Sequence, residues 1–174
     1  MALAAAACGG GDDAPADDTR GTTTVETTTT TQLTPEEEAE AVYLEFVDTV
    51  NRLGQTQPDP DDPQLGRLAK DPVLSSVQDS FTTLRSENQI WQLGESTSNH
   101  VMSVEVQGSS LAILYDCVVE NDILIDRDDG SVVRAQPLTT RLLMVTLVPT
   151  EAGWAVGSIE TVQKFDGDVP CDDG

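Results

Sequence analysis

The chain has 174 residues, and its 31 acidic against 9 basic residues give a formal charge of -22 at pH 7; that length suits one domain. So acidic a chain is repelled by phosphate and by an anionic bilayer surface, and it lacks the basic patch that supplies non-specific affinity, which excludes nucleic acid as a partner. After residue 8 no stretch approaches the roughly 20 apolar residues of a membrane-spanning helix.

The chain opens "MALAAAACGGGDD". An apolar run with small residues before a cysteine is the form of a bacterial lipobox, in which the cysteine becomes the lipid-bearing N-terminus. Residues 1–8 are therefore read as the remnant of a lipoprotein signal, with Cys8 the lipidation site. Two features depart from the pattern: Ala5 stands three before Cys8 where leucine is more usual, and no basic segment precedes the apolar run. The alternative is a cytoplasmic protein with an Ala/Gly leader, if Met1 is the true start. Residues 9–33, with "TRGTTTVETTTTTQ", have few hydrophobes and no period, and read as a Thr/Asp-rich disordered tether. The domain proper is assigned to 34–174.

In "TPEEEAEAVYLEFVDTVNRLG", Thr34 can cap, Pro35 takes the first helical position and Glu37 completes a capping box, with Gly54 as the expected stop. Ala39, Val42, Tyr43, Phe46, Val47, Val50 and Leu53 recur at helical spacing and predict one buried face. After "QTQPDPDDP", a second helix is expected over 64–70. A third is expected from a cap at Asp71 and Pro72, with Val73, Val77, Phe81 and Leu84 in phase.

From Asn99 the period becomes two: Met102, Val104 and Val106 alternate with Ser103, Glu105 and Gln107. Residues 111–119 and 142–148 are apolar on both faces and predict central strands. "DRDDGS" predicts a hairpin turn between Ile125 and Val132. It is no EF-hand, since Ser131 and Pro137 fall where glycine and glutamate are required. A final strand follows Gly153, and its apolar phase shift between Val156 and Ile159 predicts a bulge near Gly157.

Helices followed by antiparallel strands predict an α+β domain with the helices on one face of a curved sheet. The opening helix, then "HVMSVEVQGSSLAILYDCVVEN", then "TTRLLMVTLVPTEAGWAVGSIETVQ", with a cysteine soon after, resemble the nuclear transport factor 2-like (NTF2-like) superfamily of cone-shaped domains. The likeness is particularly to its small bacterial lipoproteins of unassigned function. It implies a cone lined by inward faces of helix and sheet, in a superfamily that hosts isomerases, dehydratases and plain binding modules alike.

With Cys8 consumed by lipid, Cys117 and Cys171 remain as a disulfide suited to an oxidising compartment; the alternative is two separate buried thiols. No cysteine or histidine spacing predicts a metal, and no cofactor motif is present. For a pocket, the candidate residues are Phe46, Phe81, Trp91 and Tyr115. On the strand 111–119, Tyr115 and Cys117 share a face and Asp116 takes the other. Asp116 is expected to be an outward, non-catalytic carboxylate and His100 a surface residue. "GESTS" at Gly94 lacks the glycine and the helix of a nucleophile elbow. The expected function is a lipid-anchored domain on the outer face of the cell membrane. It would touch the membrane only through its lipid, bind a protein partner or small apolar ligand, and catalyse nothing. The alternative is an isomerase- or dehydratase-like enzyme using the cone pocket.

Overall fold

The computed structural model describes residues 32–171. Cys8, the signal remnant 1–8 and the tether up to residue 31 lie outside the described residues.

The first helix, α1 (Pro35–Thr56), opens on the expected capping box. The Glu37 backbone N–H donates to Thr34 Oγ1 at 3.2 Å and the Thr34 N–H donates to Glu37 Oε2 at 2.8 Å, so two otherwise orphaned amides are satisfied. Gly54 does not stop the helix, which continues to a C-cap at Gln57. The glycine is needed for packing instead, because a Cβ there would overlap Cε2 and Cζ2 of Trp91. The second helix, α2 (Pro63–Leu68), ends two residues before the expected Lys70. Ala69 leaves it to bridge Val156, and the Lys70 N–H donates to the Val156 carbonyl at 2.9 Å. In the third helix, α3 (Val73–Ser86), Asp71 accepts from the Ser75 N–H at 3.3 Å, while Pro72, the capping residue itself, makes no side-chain cap bond.

Seven strands follow: β1 (Gln89–Gln92), β2 (Ser98–Gln107), β3 (Leu111–Glu120), β4 (Ile123–Asp126), β5 (Val132–Ala135), β6 (Thr139–Thr150) and β7 (Gly153–Asp166). They form an antiparallel four-stranded sheet, β2-β3-β6-β7, and a three-stranded one, β1-β4-β5. The Asp-Gly hairpin forms as expected, with Ile125 paired to Val132 and Gly130 at φ 71°, a left-handed conformation that favours glycine. Against β6, Thr146 pairs with Ser158 and Leu147 with Val156, so Gly157 is the extra residue of the expected bulge. A second bulge leaves Val162 unpaired between Thr161 and Gln163.

The main core lies between α1 and the four-stranded sheet. Ala39, Tyr43 and Phe46 pack on Leu114 and Val118 of β3 and on Leu143, Val145 and Leu147 of β6. A second cluster joins Leu53, Leu65, Phe81 and Leu84 of the three helices, with Trp91 and Leu124 of the small sheet packed against it. The opposite face of β3 and β6 is covered in part by the C-terminal segment. There Thr140 Oγ1 donates to the Gly167 carbonyl at 2.8 Å and accepts from the Val169 N–H at 3.0 Å, and Cys171 is bonded to Cys117 with Cα atoms 5.8 Å apart.

Candidate functional site

Tyr43, Phe46, Val47 and Val50 fall three and four residues apart along α1 and so present one stripe to the sheet. On β3 the alternation turns Ala112, Leu114, Asp116 and Val118 to the same side. Between these surfaces lies a cavity of about 210 Å³, open at the end where β3 and β6 carry Glu120 and Arg141.

Behind its lining residues Tyr43 and Asn99, Asp116 is fully buried, which corrects the expectation of an outward carboxylate. Tyr43 Oη donates to Asp116 Oδ2 at 2.6 Å and Asn99 Nδ2 donates to the same oxygen at 2.7 Å. Asp116 Oδ1 is buried without a partner. Burial, and then the adjacent Asp116 carboxyl, raise the Tyr43 hydroxyl far above the ordinary tyrosine range, so Tyr43 stays a proton donor at any physiological pH. At the mouth, Arg141 Nη2 donates to Glu120 Oε2 at 2.6 Å, while Arg141 Nε is buried with no partner. Each such orphan costs about 1–3 kcal/mol unless water or a ligand meets it.

No family model matches the chain, and no characterised protein matches it by sequence. By structure it is similar to the intermembrane space region of the chloroplast protein ARC6, with a TM-score of 0.59 at 12% identity over 75% of this chain and 98% of that one. It also aligns with a ketosteroid isomerase-like protein from Erwinia carotovora atroseptica, at a TM-score of 0.46 and 11% identity over 74% of this chain and 96% of that one. A third alignment, to an NTF2-like protein with a cystatin-like fold from Novosphingobium aromaticivorans, has a TM-score of 0.42 and 15% identity over 71% and 80%. The fold is α+β, three helices followed by antiparallel strands, and is shared with the ARC6 region. That statement concerns fold alone, because this architecture carries both enzymes and non-enzymes.

The fold does not gather the four candidate pocket residues. Phe46 lines the cavity. Phe81 and Trp91 stack on each other in the second cluster, ring centroids 5.6 Å apart, and Trp91 faces a separate cleft between α3 and the small sheet. Tyr115 lies on the face of β3 away from the helices, where its hydroxyl meets Met144 Sδ at 3.5 Å. The reason is the strand period: if Leu114 and Asp116 point inward, Tyr115 points outward. His100 is exposed, as expected. Among the cavity residues that were not expected from the sequence are Asn99 and Arg141. Arg141 stands one residue before the predicted central strand 142–148, after Thr139 and Thr140 at the start of β6, so the apolar run did not include it.

Proposed function

We propose that this chain is a non-catalytic binding or scaffold domain of a bacterial cell envelope, held outside the cytoplasm by lipid on Cys8. The observation that carries the reading is the state of the cone's acids. Asp116 is closed off from solvent and holds Tyr43 and Asn99, and Glu120 is engaged by Arg141, so neither is poised to take a proton from a substrate. The bond between Cys117 and Cys171 supports an oxidising compartment. Lipidation is tested by expressing the full gene with radiolabelled palmitate beside a Cys8→Ala variant. Label in the parent alone is expected; equal labelling, or none in either, removes the anchor.

One observation favours the isomerase- or dehydratase-like alternative, namely a hydroxyl and a carboxyl 2.6 Å apart in a cone. The conversion of a β,γ-unsaturated ketone to its conjugated isomer, followed by absorbance, separates the readings. No protein-dependent rate is expected. A rate that disappears in Asp116→Asn would make the cone an active site.

A further inference from the structure

β7 is the last strand of the four-stranded sheet, so the edge turned away from β6 has no full strand beside it. Ala69 bridges that edge in parallel at Val156, where the Lys70 N–H donates to the Val156 carbonyl, and the chain then leaves for α3. Over residues 158–161, between the two bulges, the backbone groups that point away from β6 have no hydrogen-bond partner among the described residues. A groove of about 460 Å³ runs beside this stretch, and Ser158, Ile159 and Glu160 all line it. Successive side chains of a strand point to opposite faces, so three in a row meet one groove only where it follows the strand's edge. The rest of the lining is Val73, Ser76 and Val77, spaced as one stripe of α3, with Pro72 and the nearly buried Phe46.

An apolar surface and a run of free main-chain donors and acceptors therefore meet in the groove. A wholly apolar ligand would strip water from the main-chain groups without replacing it, and a wholly polar one would gain nothing from Phe46, Val73 and Val77. An extended peptide serves both, since its backbone pairs with the edge while every second side chain turns to one face. Ile159 pairs with Val145 of the core and marks the helix side; Glu160 pairs with Met144 and marks the outer side. An added strand follows the same alternation, with aliphatic side chains toward Phe46 and Val77 and basic ones beside Glu160, the only charged lining residue among the described ones. The formal charge of -22 also favours a basic partner over an acidic one. At about 3.3 Å a residue, 158–161 pairs with roughly 13 Å of partner chain.

We propose that the β7 edge over residues 158–161 binds a short extended segment of a partner protein, with alternating aliphatic and basic side chains, as one added strand. The groove adjoins the cone cavity but holds none of its acids, so the proposal goes beyond the reading above and stands whether or not the cone turns over a ketone.

The isotope-labelled full chain is titrated by NMR with acetyl-Val-Lys-Val-Lys-Val-amide at an ionic strength of about 0.15 M, where exposed charges more than about 8 Å apart are screened. Saturable shifts are expected at the amides of residues 158–161. The order Lys-Lys-Val-Val-Val keeps the charge and loses the alternation, and should bind at least about fivefold more weakly. Two further peptides carry one N-methyl group, on the central valine or on the lysine before it. Successive N–H groups of a strand point to opposite edges, so one methyl should weaken binding about tenfold and the other leave it within about twofold. Ser76→Trp fills the groove from an exposed position of α3 and should abolish the shifts. If that variant does not fold, the N-methyl pair decides the matter on the unaltered chain. Absence of saturable binding overturns the proposal, as do equal affinities for the two residue orders or for the two methylated peptides. So does a chain that sediments as a dimer and becomes monomeric in Ser76→Trp, which would put a second copy in the groove.

Discussion

Asp116 and Tyr43 set the chemistry of the cone floor through one hydrogen bond and a shared burial. Asp116→Ala leaves the buried Tyr43 Oη without its acceptor, and an unmet buried group costs about 1–3 kcal/mol, whereas Asn99 is exposed and can turn to water. Denaturant titration should therefore find a loss well above the half kcal/mol or so of an exposed substitution. Tyr43→Phe should cost about 1–3 kcal/mol, and the double variant less than the two single losses together, because the partners are coupled. The raised Tyr43 ionisation also has a sign. Below the ordinary tyrosine value of 10.0 both folded and unfolded chains keep the phenol protonated, and no pH dependence arises from it. Above that value the unfolded chain loses the proton while the folded one retains it, so stability falls by up to about 1.4 kcal/mol per pH unit. The difference between wild type and Tyr43→Phe should be flat to about pH 10 and shrink beyond it; a constant difference to pH 12 would mean that Tyr43 titrates normally. That Asp116 points inward was not legible in the strand. Residues 111–119 are apolar on both faces, so alternation groups Asp116 with Leu114 and Val118 without saying which side meets the helices. The available clue lay on α1, where a tyrosine on the buried stripe needs a polar partner.

Among the elements, α1 is where sequence and structure agree most closely at its start and part at its end. The capping box is a local device, complete within four residues, and is therefore readable. Gly54 carries the usual sign of a helix stop, yet it serves Trp91, 37 positions away on a strand too short to be recognised by period. In an ordinary helix interior Gly→Ala adds about 1 kcal/mol of stability. Here Gly54→Ala should instead destabilise by about 1–3 kcal/mol, because the added methyl collides with the indole. A lowered melting temperature with a shifted tryptophan emission is the expected result, and a gain in stability would show that the helix and β1 part easily. The bulge at Gly157 was legible because the apolar phase slips there; the one at Val162 was not, since that half of β7 is exposed on both sides and has no phase to slip.

For the whole molecule, the bond between Cys117 and Cys171 spans 54 residues and ties the C-terminal segment to the outer face of β3. Replacing both cysteines by alanine should lower unfolding free energy by about 2–4 kcal/mol. It should also speed hydrogen exchange at the Val169 amide, whose partner Thr140 sits under the strapped segment; unaltered exchange would mean that the segment holds without its covalent tie. The order of helices and strands came from periodicity, whereas the placing of the cone cavity came from which helix residue meets which strand residue across 73 positions, as Tyr43 meets Asp116. The two bulges of β7 have a consequence for the chain in company with its own copies. β7 is a border of the four-stranded sheet and is 14 residues long, a length that offers a neighbouring molecule a template for growth. Ala69 and Lys70 occupy that border at Val156, and Gly157 and Val162 put its free amides and carbonyls out of step twice. An incoming strand would find no long regular run to zip against, so a protein held at high local density can stay dispersed without its border being fully covered.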